Sequence, residues 1–111
     1  MYKSTRGKGG IIGFAQTVLA GLAPDGGLYV PEDIPRFTSE DLKRFCGLSY
    51  PRLALEVLSA LAPDMDKVAL WKAIRRSYNA EVFKNVNDGD VASDIVPVRK
   101  LWLGADIHLA R

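Results

Sequence analysis

The chain has 111 residues, 48% of them hydrophobic and 25% charged, with a formal net charge of +2. That is room for one small domain and an ordinary globular composition, which argues against wholesale disorder. Basic residues adjoin only as the isolated pairs Lys43-Arg44, Arg75-Arg76 and Arg99-Lys100. No polybasic stretch supports nucleic-acid or membrane-surface binding, and no apolar run approaches the ~20 residues that cross a bilayer.

The opening, Tyr2 to Arg6, reads as a brief strand that runs into the connector Gly7-Lys8-Gly9-Gly10. Phe14, Val18 and Leu22 recur at helical spacing with Ala15 and Leu19 beside them, which predicts a helix with one buried stripe. Gly21 is placed to end it in a left-handed conformation. Ala23-Pro24-Asp25-Gly26-Gly27 is a strong turn signal: Pro presets φ, Asp bonds its own backbone, and Gly permits positive φ. Leu28-Tyr29-Val30 follows as a short strand stopped by Pro31.

Thr38 begins a second helix, with Glu40 and Asp41 at the positive end of its dipole, Leu42 and Phe45 facing inward, and Gly47 closing it. Ser49 caps a third helix that accepts Pro51 in its first turn. It buries Leu53, Val57 and Leu61, with Ala54 and Leu58 alongside, and ends at Pro63. Asp64 or Asp66 caps a fourth, in which Val68, Trp71, Ile74 and Tyr78 point inward. Residues 81–94 are polar and turn-rich and are expected to be a flexible loop. Residues 95–111 read as a β-hairpin, Ile95 to Trp102 and Asp106 to Ala110. Its second strand is still in progress at Arg111, so the chain reads as truncated. The expected fold is α+β: a mainly helical domain over 1–80 with four helices, a short N-terminal sheet, and the terminal hairpin.

Chemistry is sparse. Gly7-Lys8-Gly9-Gly10 misses the spacings of phosphate-binding loops and is read as a flexible connector. The turn Asp25-Gly26-Gly27 has no nucleophile or base beside it, although a small ligand site there is a minor alternative. His108, the only histidine, offers no pair for zinc and is read as structural or solvent-facing. Cys46 has no second thiol and is read as a small apolar filler near a helix end. The carboxylates fall mostly in helix first turns and the polar loop, where they cap and solvate. No catalytic, cofactor-binding or metal-ligating residue is assigned, and a cytoplasmic protein is expected.

Several stretches together resemble the threonine synthase family. Tyr2-Lys3-Ser4-Thr5-Arg6-Gly7 is similar to its Ser-Thr-Arg opening. Phe14 to Pro31, with Gly21-Leu22-Ala23-Pro24-Asp25-Gly26-Gly27-Leu28 at its centre, is similar to its longest N-terminal motif. Gly47-Leu48-Ser49-Tyr50, Ile74-Arg75-Arg76-Ser77-Tyr78 and Ile95-Val96-Pro97-Val98 add weaker matches. The resemblance implies a parent with the tryptophan-synthase-β-like (type II) fold that uses pyridoxal phosphate to convert O-phosphohomoserine and water to threonine and phosphate. The family's cofactor lysine lies in a His-Gly-Pro-Thr-x-x-Phe-Lys-Asp stretch absent from this sequence. None of Lys3, Lys8, Lys43, Lys67, Lys72, Lys84 or Lys100 sits in such a motif. The resemblance therefore implies an N-terminal structural domain, inactive alone, whose partners are the catalytic domains of its own full-length chain. A stand-alone interaction module is the alternative. No metal is expected in this chain.

Overall fold

The protein is described from a computed structural model, which covers residues 1–83 and 96 and the backbone of 98–102 and 106–110. The chain divides into two compact units, 1–74 and 75–111. In order, the elements are β1 (Tyr2–Ser4), α1 (Phe14–Ala20), β2 (Tyr29–Pro31), α2 (Ser39–Phe45), α3 (Tyr50–Leu61), α4 (Lys67–Ser77), β3 (Val98–Trp102) and β4 (Asp106–Ala110). The described architecture is thus small and α+β, with four helices.

Strands β1 and β2 pair antiparallel, with Tyr2 opposite Pro31, Lys3 opposite Val30 and Ser4 opposite Tyr29. A proline has no N–H to give a ladder, and the register explains why it is tolerated here. Tyr2 spends its own N–H and C=O on Ile12, at 2.9 and 3.0 Å, on the other edge of β1. Pro31 therefore sits at a non-hydrogen-bonded position and removes no bond from the ladder. Pairing continues past both ends, with Thr5 N–H donating to Leu28 O at 2.8 Å and Glu32 N–H to Met1 O at 3.0 Å.

The core of the first unit is small. Tyr2, Ala23, Phe45, Ala62, Leu70 and Ile74 are its buried apolar members. Tyr2 is 7% exposed and its phenol donates to Leu61 O at 2.9 Å, which ties the sheet to the end of α3. Burial is the main cause that raises its phenol above the usual pKa, with the Asp64 carboxylate adding to the effect. Phe14 packs its ring on Tyr2 at 5.7 Å, and Phe37 meets Phe45 edge-on at 5.1 Å.

Helix ends follow local chemistry. Thr38 and Asp41 form a reciprocal capping box on α2: Asp41 N–H donates to Thr38 Oγ1 at 3.1 Å, and Thr38 N–H to Asp41 Oδ2 at 2.9 Å. Ser49 occupies the N-cap of α3 without a side-chain bond, and Pro51 lies in the first turn. Asp66, rather than Asp64, caps α4 by accepting from Ala69 N–H at 2.7 Å. Asp64 instead reaches across fifty residues of sequence to accept from Phe14 N–H at 3.0 Å, capping α1. Gly21 follows α1 with the expected positive φ, 70°, but its ψ of -73° lies outside the left-handed helical conformation expected of it. Helix α2 ends at Phe45 with Cys46 as its cap, and Gly47 continues in the turn without a positive φ.

Four burial expectations are corrected. The apolar stripe of α1 faces outward: Val18 is 65%, Leu19 89% and Leu22 59% exposed, Ala15 is exposed too, and only Thr17 is buried. Seven residues make two turns, and the side turned inward carries only Phe14, against Tyr2, and the buried Thr17. Leu42 and Val68 are likewise exposed, leaving Phe45, Leu70 and Ile74 to carry the inner faces of α2 and α4. Helix α3 buries no residue fully; Leu53, Val57 and Leu61 are half-buried. Cys46 is exposed, its thiol donating to Leu42 O at 3.3 Å, so it fills no core.

In the second unit, Asn79 closes α4 by donating from its amide to Arg75 O and Arg76 O, at 3.2 and 3.0 Å. Its side-chain oxygen accepts from Glu81 and Val82 N–H, which starts a turn where Phe83 stacks on Tyr78 at 5.6 Å. The backbones of β3 and β4 pair antiparallel, Val98 opposite Ala110 and Trp102 opposite Asp106. The loop expected over 81–94 lies outside the described residues from 84 onward, as do the side chain of His108 and residues 103–105.

Candidate functional site

The densest polar arrangement in the first unit joins the Ser4-Thr5-Arg6 segment to the Asp25-Gly26-Gly27 turn. Asp25 Oδ1 accepts from the Ser4 hydroxyl at 2.7 Å and from Gly27 N–H at 2.9 Å. Its Oδ2 accepts from Lys8 N–H at 2.9 Å, and its carbonyl from the Arg6 guanidinium at 2.9 Å. Thr5 Oγ1 accepts from Leu28 N–H at 3.0 Å. The Ser4 hydroxyl bond is the chief cause that lowers the Asp25 carboxyl below the usual range, with the Gly27, Lys8 and Asp25 amides acting in the same direction.

The turn needs its glycines for two reasons. Gly26 has φ of 75°, where a Cβ is strained. Gly27 is buried, and a methyl on it would collide with Ser4 Oγ and crowd Asp25 Oδ1 and Thr5 Oγ1. Turn chemistry in the sequence located Asp25-Gly26-Gly27. Its link to Ser4 and Thr5 was missed, although two hydroxyls side by side in a strand were the available signal.

This arrangement is suited to fixing a chain and does not fit a cofactor phosphate. A phosphate cradle needs unspent backbone amides. Here the Gly7 amide goes to Ser4 O, and those of Lys8 and Gly27 go to a carboxylate that would repel an anion. The glycine connector is thus pinned through Lys8 rather than loose.

A second depression, a groove of about 310 Å³ between α3 and α4, is lined by Arg52, Leu55, Lys67, Val68 and Trp71. It brings two cations to an apolar floor and supplies no nucleophile, acid or base. Among the described residues no group of histidine, cysteine and carboxylate side chains could hold a metal ion, and no helix is long and apolar enough to cross a membrane.

The family model described as threonine synthase N terminus matches residues 1–78. The chain belongs to this family. It is 40% identical over 100 residues to the threonine synthase of Methylobacillus glycogenes, covering 90% of this chain and 21% of that protein. Threonine synthase-like 2 of Mus musculus is 45% identical over 106 residues, covering 93% of this chain and 22% of that protein. The pyridoxal-phosphate-bound threonine synthase of Brucella melitensis superimposes with a TM-score of 0.74 at 33% identity, over 89% of this chain and 20% of that one. The chain spans about a fifth of the length of these threonine synthase relatives. The Ser4–Asp25 interlock lies inside the matched N-terminal segment.

Proposed function

We propose that this chain is the N-terminal structural domain of a pyridoxal-phosphate-dependent threonine synthase. In full, that enzyme converts O-phosphohomoserine and water to threonine and phosphate. The observation that carries the reading is the family match over residues 1–78, joined to relatives of which this chain spans a fifth. In this reading the cofactor and the reacting bond belong to the remainder of the parent, which has the type II fold and a cytoplasmic location. The domain's part is to fold, through the Ser4–Asp25 interlock, and to pack against the catalytic domains.

The test begins with the gene beyond the codon for Arg111. A frame that continues into a His-Gly-Pro-Thr…Phe-Lys-Asp stretch supplies the protein to assay. That protein, loaded with pyridoxal phosphate, should release phosphate from O-phosphohomoserine, and the 111-residue chain should release none. Borohydride treatment should trap no stoichiometric lysine adduct on the 111-residue chain. A continuing frame whose product leaves O-phosphohomoserine unchanged sinks the proposal.

A further inference from the structure

Helix α1 packs Phe14 on Tyr2 but turns Val18 and Leu19 away from the unit that holds it. Inside, Thr17 is buried with its hydroxyl donated to Phe14 O at 2.6 Å. Outside, Val18 and Leu19 stand exposed on the helix, and Leu22 stands exposed just past its cap. The sequence around them is unusual too. No charged residue occurs from Gly9 to Pro24, in a chain that is 25% charged. A helix face that stays in water carries charged or polar residues, and an exposed apolar patch without them marks a surface that another surface covers.

The length of the relatives says what covers it. Four-fifths of the Brucella melitensis threonine synthase lies outside the part this chain matches. The geometry points to the outward face of α1, centred on Leu19 with Val18 and Leu22, as the docking face for the polypeptide that follows Arg111 in the parent protein. This rests on the functional reading above and names the surface through which it acts. The Asp64 carboxylate on the Phe14 amide and the Phe14 ring on Tyr2 fix the helix to the unit at its N-terminal end.

The test uses the full-length parent protein with Cys46→Ser, into which Leu19→Cys is introduced. Leu19 is 89% exposed in this chain, so the substitution disturbs no packing within it. Maleimide labelling at that peptide, read by mass spectrometry, should be at least about 100-fold slower in the native protein than in urea, the protection expected of a packed surface. Hydroxyl-radical footprinting of the unsubstituted protein reads the same face if the variant fails to fold. Val18, Leu19 and Leu22 should then be protected together. Native labelling as fast as in urea overturns the inference, and so does protection that disappears on dilution to monomer, which assigns the face to a second copy. A natural product that ends at Arg111 removes the proposed occupant and overturns it as well. Phosphate release from O-phosphohomoserine is measured on the same preparation. An active enzyme with a reactive Leu19→Cys sinks the docking face alone, and an inactive one with Leu19→Cys protected sinks the activity alone.

Discussion

The hydroxyl of Ser4 donates to the carboxylate of Asp25 at 2.7 Å, across 21 residues of sequence. That bond holds the first strand to the turn before the second, and Asp25 in turn spends its remaining lone pairs on Lys8 and Gly27. The interlock tolerates no added volume at Gly27. Gly27→Ala should destabilise the domain by about 1–3 kcal/mol through overpacking. Gly26→Ala should cost about 1–2 kcal/mol through its positive φ alone. Urea unfolding of both variants checks this, and a Gly27→Ala protein as stable as the wild type would show that Ser4 gives way freely.

Acid should loosen the interlock. The Asp25 and Asp41 carboxyls lie below their usual values, held there chiefly by the hydroxyls of Ser4 and Thr38. A group whose folded pKa is lowered contributes stability above its unfolded value and loses it as pH falls through the folded one. Unfolding temperature should therefore drop below about pH 4, near the unfolded carboxylate value. Ser4→Ala should lower stability at neutral pH and flatten that acid limb. A limb of unchanged steepness in Ser4→Ala would contradict the assignment to Asp25.

The alkaline side belongs to Tyr2. Its phenol is raised above 10.0 by burial, so its contribution is present below that value and lost as pH climbs through the raised one. Tyr2→Phe removes the bond to Leu61 O and should cost about 0.5–1.5 kcal/mol at pH 7. The variant should also lose the wild-type decline in stability above pH 10, which a pair of unfolding curves at pH 7 and 10.5 compares.

Two N-cap residues of similar chemistry should differ when truncated. Thr38 bonds the Asp41 amide, whereas Ser49 makes no cap bond. Thr38→Ala should cost about 1 kcal/mol, and Ser49→Ala distinctly less. Equal losses would mean that the α3 cap bond forms in solution.

Much of the local structure was legible in the sequence because its causes are local. Pro24-Asp25-Gly26-Gly27, the Thr38 cap and Pro51 near a helix start each act within a few residues, and each lies where turn and capping chemistry puts it. What stayed hidden needed a partner far along the chain. Asp64 looked equivalent to Asp66 as a cap for α4, and only the tertiary fold gives it to Phe14. The adjacent hydroxyls of Ser4 and Thr5 signalled a polar contact, and only the tertiary fold names Asp25 as its partner. The error over Val18, Leu19 and Leu22 has a different origin. Helical spacing shows that an apolar stripe exists but not which surface receives it, and the small core of this unit left that stripe outside.

The opening six residues have the contacts of a peptide ligand seated in a receptor. Met1 and Thr5 bond β2 and its flanks, Tyr2 bonds Ile12 and Leu61, and Ser4 and Arg6 bond Asp25. Lys8 is pinned to Asp25 as well, which leaves Gly9 and Gly10 as the tether. Lengthening such a tether should cost little, since each doubling of a flexible loop adds about 0.6 kcal/mol. Cutting it should leave the segment in place as a noncovalent passenger, which makes this connector the natural point at which to split the domain into two halves that find each other again.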